Sequence, residues 1–382
     1  MRHIRLAAAA AAVLALASCN SFTDSYPVVF AHRGCWLGDV QTPGKVTEYY
    51  VPENSLDAIR MAVRMGYPTI ELDARWTLDS VLVCMHDPTI NRTMRNAADQ
   101  SPIDSTVYVK NTTFEELRTK YALASVDPEM RRQIPTLEEM LKECARCGIK
   151  PIMHCDFFEC YEMAVPILGD QFIAFTTHFD VCQRTRGISD NLILLDAGDE
   201  LKKRGLEATP ANVLALLDEL GGATGSSSMG MGITAPEMIE AHHAAGHPVQ
   251  SSIYPTPKEA YAVRNGADIL LSDFCWRPAK GMKPVKRITL CDDGKEGDAV
   301  ASFCETELGA LTIMVKGQGA CTVTVDEQTA FGTSETRTYE FGEAGAEVVE
   351  RLSFRFWKTA PTVTLAAADG SSFKLKAELY EL

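Results

Sequence analysis

The chain has 382 residues, 46% of them hydrophobic and 23% charged, which suits one large globular domain plus a smaller one and excludes a disordered chain. A formal charge of −14 at pH 7 argues against nucleic acid as a partner, since that would favour a basic surface. An acidic chain can still take an anionic substrate in a pocket that carries a metal ion.

At the N-terminus, Arg2, His3 and Arg5 precede an apolar run from Leu6 to Ala17. This is a charged n-region followed by an h-region too short to span a bilayer. The run ends in Leu16-Ala17-Ser18-Cys19, which is similar to a bacterial lipoprotein cleavage box. The expectation is a signal peptide over residues 1–19 and a polar tether over 20–26. The mature protein would begin at lipidated Cys19, on the periplasmic or cell-surface side of a membrane. No later segment is long and apolar enough to span a membrane. Eleven further cysteines form no recognisable disulfide framework. Cys144 and Cys147 share a Cys-x-x-Cys spacing but lie in an expected helix, with no partner pair or nearby His to complete a zinc site. They read as small buried apolar residues, in a protein whose export would permit a disulfide.

From Pro27 the pattern alternates short apolar strands with amphipathic helices. Strands are expected at 27–31, 69–74, 150–155, 172–177, 192–195, 223–227, 248–253 and 268–271. Helices are expected at 55–65, 136–147, 161–168, 209–220, 235–245 and 257–265. After the second strand, Thr77-Leu78-Asp79-Ser80 is too short for a parallel crossover. The run from Val81 to Met85 should therefore return antiparallel as a hairpin arm. Residues 89–133 are polar and interrupt the alternation as an insertion. Eight strands with interleaved helices predict a (β/α)8 barrel over 27–283, with its active site at the C-terminal ends of the strands. From 284 to 382 the texture becomes short alternating runs rich in β-branched and aromatic residues, which predicts an antiparallel β-sandwich.

The chemistry concentrates between Val28 and Arg92. His32 follows the first strand and His86 follows the hairpin arm. Glu71 and Asp73 are two apart on a strand, so both project from one face. Two hard oxygen donors on one face suit a divalent cation. Two histidines with a basic neighbour suit proton transfer around an anionic phosphorus centre.

The ordered set His32-Arg33-Gly34, Pro52-Glu53-Asn54-Ser55, Glu71-Leu72-Asp73, His86-Asp87 and Asn91-Arg92-Thr93 resembles the glycerophosphodiester phosphodiesterase family. The stretches 134–139 and 266–273 extend the resemblance to about residues 27–280. The resemblance implies one divalent metal ion, Ca2+ or Mg2+, on Glu71 and Asp73. It implies His32 and His86 as the acid/base pair and Arg33 on the phosphate. Glu53 and Asn54 would orient Arg33 or the metal, with a helix-cap role for Asn54 as the rival. It also implies that the insertion helps cover the site.

Two departures stand out. Where the family carries Glu-x-Lys, with Glu on the metal and Lys on phosphate, this chain has His154 and Asp156. Either could be the third metal ligand, and His154 in that place would favour Mn2+ or Zn2+. Near the penultimate strand, Tyr254 supplies the aromatic wall or packs on the rim. His178, Asp196 and Tyr161 are weaker pocket candidates; His242, His243 and His247 read as outer-surface residues.

The expected activity is metal-dependent hydrolysis of a small phosphodiester, a glycerophosphodiester, to an alcohol and glycerol 3-phosphate. The alternatives are a larger lipid or glycan diester, as in phospholipase-D-like relatives, and a non-catalytic binding lipoprotein. The sandwich would be a carbohydrate- or surface-binding module or a packing partner.

Overall fold

The computed structural model describes residues 28–38, 49–227, 236–253, 266–273, 278, 282–294, 296–299, 309–328, 334–343, 345–356, 359–367 and 371–381. Eight parallel strands close into a barrel. In chain order they are β1 (Val28–Ala31), β2 (Thr69–Asp73), β3 (Lys150–His154) and β4 (Ile173–Thr176), then β5 (Ile193–Leu195), β6 (Thr224–Ser227), β7 (Val249–Ile253) and β8 (Ile269–Ser272). Each strand pairs with its sequence neighbour, and β8 closes on β1.

Period-two alternation sorts the barrel side chains into two cores. Val28, Phe30, Ile152, Ile173, Phe175, Leu192, Leu194, Ile269 and Leu271 fill one cluster inside the barrel. Val29, Ile70, Leu72, Met153, Ala174, Ile193 and Leu270 face outward and pack with the helices. Helix Leu137–Cys147 shows why this works. Thr136 and Glu139 form a reciprocal capping box, and Gly148 ends the helix in a left-handed conformation. Leu137, Met140, Leu141 and Cys144 are buried at helical spacing.

Between β2 and β3 the chain leaves the barrel. Arg75–Trp76 pairs antiparallel with Leu82–Val83, the expected hairpin with a shorter ladder. The following insertion holds a ribbon, Met94–Asn96 with Tyr121–Leu123, and a helix, Phe114–Lys120. Its own small core unites Val83, Met85, Ile90, Met94, Val109, Leu117, Leu123 and Ile134.

Two four-stranded antiparallel sheets follow the barrel. They enclose Leu311, Ile313, Val315, Val323, Val325, Tyr339, Phe341, Val363, Leu365, Phe373 and Leu375. Ala310 and Tyr380 join the outer apolar cluster of the barrel. Glu296–Ala299 is a strand not predicted from sequence. Helix Phe179–Arg186 was also missed, because only Phe179, Val181, Cys182 and Thr185 are buried and their spacing gives no clear apolar stripe. His242 and His247 are buried rather than at the outer surface. His242 bonds Ser226 and the Met238 carbonyl, and His247 bonds Thr224. Cys84, Cys144, Cys147, Cys155, Cys160, Cys182 and Cys291 are free thiols, and among the described residues no helix is long and apolar enough to cross a membrane.

Candidate active site

The site is built at the C-terminal mouth of the barrel. Parallel pairing of β2 with β3 sets Asp73 beside His154 and Glu71 beside Ile152, so all four point into the barrel. His154 Nδ1 lies 3.6 Å from Glu71 Oε1 and 3.5 Å from Asp73 Oδ1. The three ligand atoms all fall within 4.8 Å of one another, as a shared cation requires. Burial works to lower the His154 pKa, but Asp73 and Glu71 outweigh it and raise it to about 10. Burial also opposes ionisation of Asp73, yet His154, His86 and Arg33 hold its carboxyl below the usual range. Phe175 stacks on the His154 ring with centroids 4.2 Å apart and fixes its plane.

Asp156 does not join this group. Strand β3 ends at His154, so alternation no longer aims the side chain two residues on. Asp156 instead accepts from Thr176 Oγ1 at 2.9 Å and pairs with His178 Nδ1 at 3.0 Å, half exposed on the rim. Asp196 sits buried at the end of β5, accepting from the Gly198 backbone, and burial raises its pKa. Tyr161 is fully buried in the outer apolar cluster, its hydroxyl donating toward the Met153, Cys155 and Phe175 carbonyls. Tyr254 and Cys19 lie outside the described residues.

His32 directly follows β1, buried. Its Nδ1 lies 2.9 Å from Asp273 Oδ1, and Asp273 directly follows β8. Trp36 Nε1 donates to the same oxygen at 3.0 Å. Burial lowers the His32 pKa, but the Asp273 carboxylate more than offsets it and the net shift is upward. Asp273 and Trp36 were not singled out from sequence. The contact spans 241 positions, so only the place of Asp273 at the C-terminal end of a barrel strand could have signalled it.

The loop after β1 is shaped by backbone demands. Arg33 and Gly34 both take positive φ, 58° and 78°. A Cβ on Gly34 would lie 2.7 Å from Ala58 Cβ, so the loop reaches the helix only with glycine there. The turn lets the Arg33 backbone N–H donate to Glu71 Oε2 at 2.8 Å. Asn54, at φ 49°, clamps Asp73 twice: its Nδ2 donates to Asp73 Oδ2 at 2.9 Å, and its Oδ1 accepts from the Asp73 backbone at 3.1 Å. The helix cap is Ser55, which accepts from Ala58 N–H; Asn54 therefore serves Asp73 rather than the helix end. Glu53 accepts from Arg33 at 3.1 Å and from Arg92 at 2.7 and 2.8 Å.

His86 stands on the other side, about one-third exposed, with Nδ1 2.7 Å from Asp87 Oδ1. Arg75 donates to its backbone carbonyl. A cavity of about 550 Å3 opens beside the insertion, walled by Asn91, Arg95, Gln100, Ser125, Arg131 and the Tyr49 ring.

A divalent cation fits Glu71, Asp73 and His154 on an observation of the site itself. Glu71 is fully buried, and its Oε1 has no hydrogen-bond partner. A buried carboxylate oxygen in that state is costly unless a cation completes it.

Fold and site together define a (β/α)8-barrel protein whose mouth carries a carboxylate–imidazole cluster able to hold a cation, flanked by two imidazole–carboxylate pairs. Residues 47–165 match the Glycerophosphoryl diester phosphodiesterase family. Glycerophosphodiester phosphodiesterase 1 of Mus musculus is 38% identical over 100 residues, covering 25% of this chain and 27% of that protein. A glycerophosphodiester phosphodiesterase of Caldanaerobacter subterraneus is 33% identical over 116 residues, covering 30% of this chain and 39% of that protein. The chain thus spans about a quarter to two-fifths of the length of the curated relatives it matches. Among solved structures, a phosphodiesterase from Oleispira antarctica in complex with sn-glycerol-3-phosphate superposes with a TM-score of 0.48 at 18% identity, over 65% of this chain and 93% of that one. A glycerophosphodiester phosphodiesterase from Parabacteroides distasonis gives 0.45 at 20% identity, over 66% of this chain and 94% of that one.

Proposed function

We propose that this protein is a divalent-metal-dependent phosphodiesterase that hydrolyses glycerophosphodiesters to an alcohol and glycerol 3-phosphate. The observation that carries the reading is the convergence of Glu71, Asp73 and His154 with His32, His86 and Arg33 on one barrel mouth. A cation held there would act as a Lewis acid that polarises the phosphoryl group.

The chain's own residues supply the rest. Arg33 binds phosphate oxygens; its Nε is buried with no hydrogen-bond partner and lies 3.8 Å from Asp73 Oδ2, facing the metal ligands. His32 and His86 each carry a carboxylate on Nδ1, and each would exchange a proton with substrate through Nε2. One takes the proton of the attacking hydroxyl and the other delivers one to the leaving oxygen. The attacking hydroxyl is water or a neighbouring hydroxyl of the substrate. A cyclic phosphate detected in a single turnover selects the second route, and its absence selects the first.

With one imidazole among three ligands, the donor set favours Mn2+ or Zn2+ over Ca2+. The Asp156–His178 pair on the rim favours a second substrate reading, a diester with a larger hydroxylated alcohol, because it offers donors and acceptors where the family carries Lys. Parallel assays with glycerophosphocholine and with lipid or glycan diesters separate the two readings. The Leu16-Ala17-Ser18-Cys19 sequence supports export and lipidation at Cys19. Incorporation of labelled fatty acid that survives in Cys19→Ala would remove that part.

A further inference from the structure

The two imidazoles are held by different means. Asp273, the partner of His32, directly follows a barrel strand and is 2% exposed. Asp87, the partner of His86, lies on the connection beyond the hairpin, where no barrel strand holds it. Its second oxygen accepts from Arg92 Nε at 2.7 Å. Arg92 is itself gripped by Glu53, with Nη1 to Oε2 at 2.8 Å and Nη2 to Oε1 at 2.7 Å, and its Nη1 also donates to the Tyr49 hydroxyl. Glu53 is 2% exposed and shares Oε1 with Arg33. An unbroken file of charge-assisted bonds therefore runs His86–Asp87–Arg92–Glu53–Arg33.

We propose that Arg92 is a positioning residue for His86. By holding Asp87 Oδ2 against the rigid Glu53, it keeps Asp87 Oδ1 on His86 Nδ1, fixes the Nδ1–H tautomer and leaves Nε2 aimed at the mouth. The planar guanidinium is needed because three directions must be served at once: Nε toward Asp87, and Nη1 and Nη2 toward the two oxygens of Glu53. An ammonium at the end of a lysine is a point charge and cannot hold that fork. The same bonds tie the hairpin connection to the loop that carries the phosphate-binding Arg33. Arg92 so couples proton transfer to phosphate binding without touching substrate. The inference rests on the proposed acid/base role of His86.

The test compares full-length wild type, Arg92→Lys, Arg92→Ala, Asp87→Asn and the Arg92→Lys/Asp87→Asn double variant. Readouts are metal-supported turnover of glycerophosphocholine, thermal unfolding, and 15N shifts of the His86 ring. In Arg92→Lys, kcat should fall about 10- to 100-fold, the scale of residues that orient a reacting group, with KM within about threefold. The double variant should be no slower than the worse single one, since both break the same link. The His86 ring should pass from one tautomer to a mixture in all three single variants. Guanidinium should restore part of the Arg92→Ala activity.

Wild-type kcat in Arg92→Lys, multiplicative losses in the double variant, or a loss wholly in KM would overturn the proposal. So would an unchanged single His86 tautomer in Arg92→Ala. The ring shifts need no turnover. A wild type that does not cleave the substrate therefore counts against the proposed activity alone, while the tautomer still decides the role of Arg92. Asp87→Asn is close in shape and keeps the buried Arg92–Glu53 pair, so it carries the test if Arg92→Ala does not fold.

Discussion

The two sides of the barrel mouth are built differently. On one side, His32, Asp273 and Asp73 sit at or next to the ends of hydrogen-bonded strands and Glu71 lies within one, and each is at most 6% exposed. On the other, His86, Asp87 and Arg92 ride on a connection outside the barrel, and ion pairs to Glu53 hold them. The strand side gains its order from the fold itself, so its groups are positioned before any polar contact forms. The connection side gains its order from charge, and a single missing bond can loosen it. On the proposed mechanism, the acid and the base across one phosphoryl group would be one rigid and one tethered imidazole.

The comparison can be broken most sharply at the imidazoles. His32→Ala and His86→Ala should each lower kcat by about 10²- to 10⁴-fold, the usual worth of general acid or base catalysis. A large loss in one and none in the other would mean that the two sides do not act together. Next come their carboxylates. Asp273→Asn and Asp87→Asn should each lower kcat by about 10- to 100-fold. Only Asp273→Asn, which weakens a buried pair, should also cost about 1–3 kcal/mol of stability in chemical denaturation. Equal destabilisation by both would erase the distinction between strand-held and ion-pair-held sides.

His154→Glu tests the metal ligands on the strand side. An all-oxygen set should weaken Zn2+ binding by about tenfold or more relative to Mg2+, read by calorimetry. An unchanged ratio would place His154 outside the ligand set.

The smallest effect lies away from the mouth. Arg146 chiefly, with Arg60, holds the Glu143 carboxyl down to about 2 against an ordinary 4.5. A depressed carboxyl contributes stability that is full above about pH 4.5 and is lost as pH falls toward 2. Glu143→Gln should therefore show a smaller drop in Tm between pH 6 and pH 3 than wild type, in parallel melting curves. An identical drop would show that the pair contributes nothing to acid sensitivity.

The strand side was also the legible side. Period-two burial placed all eight barrel strands, and the spacing of Glu71 and Asp73 put both on one face before any fold was known. His154 came from the place where the resembling family carries Glu, with Asp156 two residues on as its rival. Alternation failed at Asp156 because the strand had already ended. What stayed hidden depends on long loops closing in space. Asp273 meets His32 across 241 positions, and Arg92 meets Glu53 across 39. No local pattern encodes such contacts; they arise only when β8 closes on β1 and the insertion folds back toward Tyr49. Helix Phe179–Arg186 was hidden for a different reason: it is short and covered with polar side chains.

The most direct test is turnover of glycerophosphocholine by the protein from residue 20 onward, beside the full-length chain and His32→Ala. It should be run metal-free and with Ca2+, Mg2+, Mn2+ and Zn2+. The account predicts release of glycerol 3-phosphate only with metal, strongest with Mn2+ or Zn2+, and lost in His32→Ala. Equal turnover without metal, or none with any of the four ions, would contradict it.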